Sequence, residues 1–379
     1  MRKLLFVIPG LGIGGTNSSL ESLYNHICKE YDVQVFAISY HTKKRDYSFK
    51  KALLPTNKVL SFLFTDYSVQ IGLNKLKAFV YKVLQSCLRL FGIDLMSIVA
   101  KRVVNKIENS NEYDCVVAFQ EGFATRFVSW FHNNNRIAWI HCDYSKWCPN
   151  GSELGVYNRF SQIVCVSKYT ASVFKGYYTA LKDRVMAIHN LLDIERLSVL
   201  SQQNNLDSRF EKGKFIILSA GRFSEVKRFR EIPRIAFSIK QNGGDFVWYI
   251  IGPDGGGLEM KHFEDNLKKY NIGDCVQWLG GKDNPYPYFK SANLYACTSE
   301  SEACPMVFAE AKYFGLPIVT ADFPSAYEFV NDSTGRIVKL DDMACAITEI
   351  MRLNTGNICN ADVYDEEELI MEQLHHLFN

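Results

Sequence analysis

Several features are missing from this 379-residue sequence, and each absence excludes a class of protein. No run of about 18 uncharged apolar residues occurs, so the sequence predicts no membrane-spanning helix. The 11 cysteines stand singly, without a Cys-x-x-Cys pair or a Cys/His cluster of zinc-ligand spacing, which predicts reduced thiols and no zinc site. Lys and Arg total 43 against 41 for Asp and Glu, so no excess of positive charge favours nucleic acid as a partner.

The apolar start of the chain is too short for an export signal. Pro9 and Gly10 end the run from Leu4 to Ile8, and no small-residue cleavage site follows. We therefore expect a buried strand at this position and a cytoplasmic protein.

Short continuous apolar runs alternate with amphipathic stretches along most of the chain. Such runs are typical of strands that helices cover on both faces of a parallel sheet. A first series covers residues 4–8, 33–38, 115–119, 137–140, 163–166 and 185–188, and a second covers 215–220, 246–251, 276–279, 294–297 and 318–320. The pattern predicts an α/β protein with two domains, which the chain length allows.

A polar stretch from residue 193 to residue 214 separates the two series. Because such a stretch is poor core material, we predict an N-terminal domain over residues 1–192 and a C-terminal domain over residues 193–360. Residues 361–379 have apolar side chains at helical spacing behind an acidic start. They predict a terminal helix, which we expect to pack back on the N-terminal domain.

A glycine-rich loop follows the first apolar run. Gly10, Gly12, Gly14 and Gly15 precede a helix start, which formally fits a dinucleotide-binding loop. The second run ends in Ser39-Tyr40-His41, without the acidic residue that a nicotinamide site needs for its ribose. Gly14 and Gly15 are candidates for close approach to an anionic ligand, and the alternative is a tight turn with no ligand.

Two basic residues follow the first run of the second series. Arg222 and Lys227 come just after residues 215–220, and open α/β sheets bind ligands at the carboxyl ends of their strands. A guanidinium and an ammonium can neutralise a diphosphate without a metal, and no Asp-x-Asp motif occurs in the chain. We therefore expect neither a metal nor a cofactor; the alternative for these two residues is a solvated surface pair.

A pair of glutamates flanks a predicted helix start. Pro305 suits the first helical position, so Glu302 lies in the loop before the helix and Glu310 lies near its amino end. The free amides of Met306 and Val307 would point at an anion. Two carboxylates can accept hydrogen bonds from the hydroxyls of a sugar and a ribose. The alternative is that the two glutamates only cap the helix start and keep it solvated, without a ligand.

In combination, these motifs resemble the family 4 (group 1) retaining glycosyltransferases of GT-B architecture. The matching segments include Gly14-Gly15, Gly221-Arg222, Lys227, Ile251-Gly252 and Ser299-x-x-Glu302…Pro305…Glu310-Ala311. The resemblance implies two Rossmann-like domains facing across a cleft. It also implies transfer of a hexosyl or N-acetylhexosaminyl group from a UDP-sugar to a glycan in surface polysaccharide biosynthesis, with Gly14, Gly15 and Gly252 in the donor site.

The resemblance also assigns roles to the charged residues. It implies that Arg222 and Lys227 hold the donor diphosphate, Glu310 holds the ribose and Glu302 contacts the donor sugar. It further implies that His141, after the apolar run 137–140, contacts the sugar near the reacting carbon. A lone histidine after an apolar run is otherwise more often a structural residue.

A stretch rich in basic residues lies between residues 43 and 106, and it concerns where the acceptor is located. Apolar residues at helical spacing from Leu76 to Phe91 predict an amphipathic helix, with Lys75, Lys82 and Arg89 on another face. The resemblance implies a lipid-linked glycan acceptor at the inner face of the cell membrane, where local positive charge attracts anionic headgroups. The alternative is an ordinary helix packed by its apolar stripe onto the N-terminal domain.

Two further functions stay open at this point. A nucleotide-cofactor oxidoreductase would use the first glycine loop and would be indifferent to changes at Arg222. A non-catalytic two-domain sugar-binding protein would close on its ligand, but it would be expected to carry an export signal.

Overall fold

The computed structural model describes residues 1–12, 14–39, 47–65, 72–148, 150–203, 206–210, 213–353 and 361–379. These residues form two compact units. Met1–Leu191 and Gln373–Asn379 make up the first unit, and Leu192–Glu372 make up the second. Tyr40, His41 and the basic residues Lys43, Lys44 and Arg45 lie outside the described residues.

The first unit is an α/β layer structure. Its described strands are β1 Lys3–Gly10, β2 Asp32–Ser39, β3 Cys115–Ala118, β4 Arg136–Ile140, β5 Gln162–Cys165 and β6 Val185–Ala187. Its described helices are α1 Gly15–Ile27, α2 Lys58–Phe64, α3 Leu73–Leu90, α4 Leu95–Ser110, α5 Phe123–Val128, α6 Tyr144–Trp147, α7 Leu154–Tyr157 and α8 Lys168–Tyr177. The strands pair in parallel in the order β2-β1-β3-β4-β5-β6.

The second unit repeats this architecture with a different strand order. Its described strands are β7 Phe215–Ala220, β8 Phe246–Ile251, β9 Val276–Trp278, β10 Leu294–Cys297, β11 Ile318–Ala321 and β12 Gly335–Val338. Its described helices are α9 Ile194–Ser201, α10 Ile232–Gln241, α11 Leu258–Tyr270, α12 Tyr286–Ser291, α13 Met306–Tyr313, α14 Ala326–Phe329 and α15 Met343–Leu353, and α16 Ala361–Phe378 ends the chain. The strands pair in parallel in the order β12-β11-β10-β7-β8-β9.

Buried apolar strands explain why both sheets form. Residues 4–8 of β1 are completely buried, and β8 is buried along its whole length. The indole of Trp248 is fully buried in β8 and satisfies its N–H by donating to Ser219 Oγ at 3.0 Å. Each fully buried aliphatic side chain contributes about 1.5–3 kcal/mol of transfer free energy, so these central strands carry much of the stabilisation.

The predicted α/β fold with two parallel sheets is confirmed, but one strand was missed. The strand β12 lies at a sheet edge and begins at Gly335, where an added Cβ would lie 2.0 Å from Ile318 O. Glycine therefore permits this pairing, although it weakens the apolar pattern that predicts a strand. The polar stretch 193–214 is also more ordered than expected, since α9 occupies its first part.

The strand orders place a topological switch point in each sheet. In the first unit β1 connects outward to β2 while β3 lies on its other side, and in the second unit β7 is flanked by β8 and β10. In open parallel sheets, ligands bind beyond the carboxyl ends of the strands at such a point. The loops after β1 and β3, and those after β7 and β10, are therefore the places to look for a site.

The last helix, α16, ends on the first unit. Leu374 and Phe378 are nearly fully buried, and the ring of Phe378 lies 6.1 Å from that of Phe6 and 5.7 Å from that of Tyr31. Within the described ranges, no single helix is long and apolar enough to cross a membrane. The helices α3 and α4, bent by 109° at their junction, satisfy that criterion only as a pair.

Candidate functional site

Two strand ends of the second unit approach each other closely at the switch point. The amide of Gly221 donates to Ile251 O at 2.9 Å, and Gly252 lies in a left-handed region with φ of 146°. A Cβ added to Gly252 would lie 1.7 Å from Gly221 O, and one added to Gly255 would lie 1.8 Å from Phe223 O. Only glycine fits at these two positions, and the backbone here stays bare of side chains.

An ion pair joins the loops that follow β7 and β10. Lys227 Nζ lies 2.6 Å from Glu302 Oε1, and these side chains are only 22% and 16% exposed. Ser299 Oγ donates to the same carboxylate oxygen at 2.6 Å, and Thr298 Oγ1 donates to Lys227 O at 2.7 Å. The structure thus brings the predicted cation and the predicted sugar-binding carboxylate into direct contact.

The protonation of Lys227 follows from this contact. Burial by itself lowers the pKa of Lys227, but the carboxylate of Glu302 more than offsets that effect, so the pKa ends above its usual value. The side chain therefore stays an ammonium, able to bind a second anion. Because its charge is balanced by Glu302, the pair adds no net charge to the site.

Arg222 adds a positive charge to the balanced pair of Lys227 and Glu302. Its side chain is exposed, and in the part of the chain that the structure describes it forms no ion pair. It is close enough to Lys227 to oppose protonation of that ammonium. A guanidinium in water beside a half-buried ammonium is suited to an incoming phosphate group.

Arg228 holds the two loops together. It adopts the left-handed region at φ of 50°, which is unusual for a residue other than glycine. Its guanidinium donates from Nε to Thr298 O at 3.0 Å and from Nη2 to Ser299 O at 2.8 Å. Glu300 N adds a bond to Val226 O at 2.8 Å, so the loops after β7 and β10 form one connected element.

The helix α13 carries the remaining predicted residues of this unit. Pro305 is its N-cap and the helix starts at Met306, one residue later than the sequence predicts. Met306 packs with Leu197 and Tyr286 in a small apolar cluster. Burial raises the pKa of Glu310 to about 7, although a hydrogen bond from Tyr286 and the charge of Arg196 oppose the shift.

In the first unit the glycine loop is held by one amide side chain. Asn17 Nδ2 donates to Gly10 O at 2.9 Å and to Gly12 O at 2.7 Å. Gly14 caps α1 without a side-chain hydrogen bond, and a Cβ added to Gly14 or Gly15 would meet nothing within 4 Å. The space in front of this helix end is therefore open.

His141 follows β4 and is held through its backbone. Its amide donates to Glu121 Oε2 at 2.9 Å, and its ring lies 4.6 Å from that of Phe119. Burial lowers the pKa of His141 to about 3, so the imidazole is neutral at pH 7. Its buried Nε2 has no hydrogen-bond partner among the described residues.

Comparison with known proteins finds a family match for the second unit. Residues 201–360 match the family model for glycosyl transferases group 1, a segment that contains the pair Lys227–Glu302. This part of the chain is therefore similar to the group 1 glycosyltransferases. This match covers the unit whose switch point carries the ion pair and Arg222.

The curated relatives that the chain matches are distant. It is 24% identical over 203 residues to a glycosyltransferase of uncharacterized function from Methanocaldococcus jannaschii, covering 52% of this chain and 48% of the relative. It is 23% identical over 349 residues to the N-acetylgalactosamine-N,N'-diacetylbacillosaminyl-diphospho-undecaprenol 4-alpha-N-acetylgalactosaminyltransferase of Campylobacter jejuni, covering 90% of this chain and 87% of the relative. The chain spans 48%, 40% and 35% of the first three curated relatives that it matches.

Solved structures show the fold. The crystal structure of Anabaena HepE in complex with UDP and glucose superposes with a TM-score of 0.70 at 17% identity, over 99% of this chain and 100% of the other. Staphylococcus aureus TarM gives a TM-score of 0.70 at 13% identity, over 100% of this chain and 99% of the other. The chain therefore has the GT-B fold.

The predicted residues fall into one group in each unit. Arg222, Lys227, Gly252 and Glu302 lie around the switch point of the second unit, and α13 starts shortly after Glu302 with Met306, Val307 and Glu310. Gly14 and Gly15 follow β1 in the first unit, and His141 follows β4.

Sequence reasoning missed Glu121 and assigned no role to Ser299. Glu121 follows β3 at the switch point of the first unit, is only 7% exposed and has a carboxyl pKa that burial raises. An acidic residue just after an apolar strand was the available signal for Glu121. Ser299 belongs to the motif Ser299-x-x-Glu302, but its hydrogen bond to Glu302 depends on the loop conformation.

Proposed function

We propose that the protein is a group 1 glycosyltransferase that moves a hexosyl or N-acetylhexosaminyl group from a UDP-sugar to a glycan acceptor with retention of configuration and without a metal. The observation that carries the proposal is the arrangement at the switch point of the second unit. There, exposed Arg222 lies near the half-buried pair of Lys227 and Glu302, beside backbone that only glycine can form.

Donor binding would redistribute the charges of this pair. The diphosphate would take the guanidinium of Arg222 and the ammonium of Lys227 as partners, and the amides of Met306 and Val307 would add hydrogen bonds. Glu302 would then be released to accept from the hydroxyls of the donor sugar. Glu310 would accept from the ribose, and the glycines Gly14, Gly15 and Gly252 would let backbone approach the donor.

Transfer would proceed on one face of the sugar. The bond between the anomeric carbon and the diphosphate oxygen breaks, and its electron pair leaves with the diphosphate. The acceptor oxygen bonds to the same carbon from the same side, and its proton passes to the leaving phosphate. Arg222 and Lys227 stabilise the negative charge that grows on the leaving group, and neutral His141 orients the sugar.

The acceptor is proposed from the names of two relatives. The Campylobacter jejuni relative is named for a diphospho-undecaprenol substrate, and an Erwinia amylovora relative is named for amylovoran biosynthesis. We infer a lipid-linked glycan as acceptor, in surface polysaccharide biosynthesis, with the protein at the cytoplasmic face of the membrane.

The competition between Glu302 and phosphate for Lys227 gives a sharp test. Glu302→Gln should raise the affinity for UDP severalfold, because the ammonium loses its anionic partner, and should lower the turnover of UDP-sugars by roughly a hundredfold. Arg222→Ala should weaken UDP binding roughly tenfold to a hundredfold, since a charge-assisted hydrogen bond contributes about 1.5–3 kcal/mol.

Calorimetric titration with UDP measures the affinities, and UDP release from UDP-glucose, UDP-galactose and their N-acetyl forms measures turnover. Arg352→Ala, which removes an exposed arginine at the end of α15, is the matched control and should change neither. Unchanged UDP affinity and turnover in Arg222→Ala would mean that the site is misassigned.

A further inference from the structure

The helix α3 turns its apolar side toward solvent. Leu76 is 59% exposed, Val80 54%, Val83 45% and Leu84 44%. The sequence left two alternatives for this stripe, and the structure excludes the packing of the stripe onto its own domain. Contiguous exposed apolar side chains of this kind mark interaction surfaces in proteins.

The opposite side of α3 attaches the helix to the first unit. Ala78 is fully buried and Gln85 is 5% exposed, and the ring of Tyr81 stacks on that of Phe62 at 5.9 Å. With 3.6 residues per turn, Leu76 and Val83 lie on the side away from Ala78 and Gln85. The helix is therefore anchored by Ala78, Tyr81 and Gln85, while the large aliphatic side chains named above point outward.

The apolar surface continues past the end of the helix. Leu90 is 84% exposed and Phe91 80%, and Ile93 and Ile98 are each 40% exposed. We call this surface, from Leu76 to Ile98, the α3 face. Because it runs through α3 and the turn into α4, it is longer than a pocket for one side chain.

Basic residues outnumber acidic ones along the α3 face. Residues 72–98 contain four basic residues and one acidic residue, Asp94. Lys75 and Lys77 are exposed on either side of the apolar stripe, whereas Arg89 lies toward the anchored side of the helix, near Asp94. An exposed apolar side flanked by basic residues is the pattern of a helix that lies in the interface of an anionic bilayer.

A second copy of the chain fits this surface less well. Two copies that paired through the same face would bring Lys75 and Lys77 of both copies to the interface, and the one acidic residue of the face, Asp94, lies near Arg89 at the far end of the helix. Like charges facing each other across an interface oppose association. An anionic lipid surface removes that repulsion and also covers the apolar side chains.

We propose that the α3 face docks the protein on an anionic lipid bilayer. The apolar side chains enter the boundary between headgroups and acyl chains, and Lys75 and Lys77 contact lipid phosphates. The inference depends on the surface of the first unit and not on the proposed reaction. Vesicle binding and sugar transfer can therefore fail independently of each other.

Flotation with lipid vesicles tests the docking. The full chain should float with vesicles that contain phosphatidylglycerol at 0.1 M salt, and should stay at the bottom with vesicles of pure phosphatidylcholine. Binding should weaken at 1 M salt, because screening removes the attraction of the basic residues. Equal binding to both vesicles, or binding to neither, would overturn the proposal.

A pair of matched variants assigns the binding to the α3 face. Leu76→Glu with Val83→Glu should lower the vesicle partition coefficient by roughly a hundredfold or more, since two apolar side chains stay in water. Leu353→Glu with Val199→Glu makes the same changes at residues that are 68% and 66% exposed in the second unit, and should bind like the wild type.

The folding of both variants is checked by their thermal midpoints, which should match that of the wild type. An equal loss of vesicle binding in the control variant would refute the assignment to α3. Sedimentation velocity decides the remaining alternative. A wild type that dimerises in the absence of lipid, together with a monomeric Leu76/Val83 variant, would show that the face binds a second copy instead.

Discussion

At the residue scale, the partner of a side chain decides what it can do. Lys227 and Glu302 lie 75 positions apart in the chain, and each by itself resembles an ordinary surface residue. Paired at 2.6 Å, they form a half-buried unit whose charges an incoming diphosphate can separate. Arg228, which the sequence marks only as a basic residue after Lys227, serves to connect the two loops that hold this pair.

The raised pKa of Glu310 predicts that the stability of the protein depends on pH. Its pKa of about 7 in the folded protein lies above its ordinary value of 4.5, so the folded state retains a proton that the unfolded chain releases. The carboxyl therefore contributes stability below pH 4.5 that is lost as the pH rises through 7. We compare the free energy of unfolding of Glu310→Gln with that of the wild type. The difference should shift in favour of the variant by about 1–3 kcal/mol when the pH is raised from 5 to 8.

Urea unfolding at the two pH values measures this difference. The control Glu349→Gln removes an exposed carboxylate from α15, and it should produce no comparable gain. A gain for Glu310→Gln that is the same at both pH values would show that the carboxyl of Glu310 is not perturbed by burial.

At the scale of elements, both candidate sites lie where strands end and helices begin. The loop after β1 is fastened to α1 by Asn17, and the loop after β10 leads into α13 through Glu302. Apolar runs predicted these strand ends because burial on both faces of a parallel sheet leaves a continuous signal in the sequence. The loop conformations left no such signal.

Asn17→Asp tests how firmly the first loop depends on α1. The aspartate cannot donate to Gly10 O or Gly12 O, and its charge would face two carbonyl oxygens. We expect the unfolding free energy to fall by about 1–3 kcal/mol, since Gly10 O loses its donor and a buried carboxylate faces two carbonyl oxygens, although Tyr47 still donates to Gly12 O. Thermal unfolding measures the loss, and Asn158→Asp, at an exposed asparagine of the same unit, should change the midpoint little.

At the scale of the whole molecule, the end of the chain packs on the unit that contains its first residues. The last residues, Gln373–Asn379, belong to the unit that Met1 opens, although the second unit lies between them in sequence. Phe378 packs between Phe6 and Tyr31, so the end of α16 closes the core at the first strand.

Phe378→Ala should destabilise the first unit. Truncating a buried phenylalanine costs about 3–5 kcal/mol, because it removes apolar contacts and leaves a cavity. Scanning calorimetry should show a lower midpoint for the transition of the first unit. Leu369→Ala removes a side chain of the same helix that is 56% exposed, and an equal shift in this control would contradict the packing described for Phe378.

By itself, the sequence determined the two parallel sheets, the helix that Pro305 opens, and the positions of Arg222, Lys227, Glu302 and Glu310 along the chain. These features are local, because burial and helix capping act on neighbouring residues. Only the tertiary structure decided that Lys227 pairs with Glu302, that Glu121 holds His141 and that the apolar side of α3 faces outward. An amphipathic period shows that a helix has two sides, but which side is covered depends on elements that the fold brings from elsewhere in the chain.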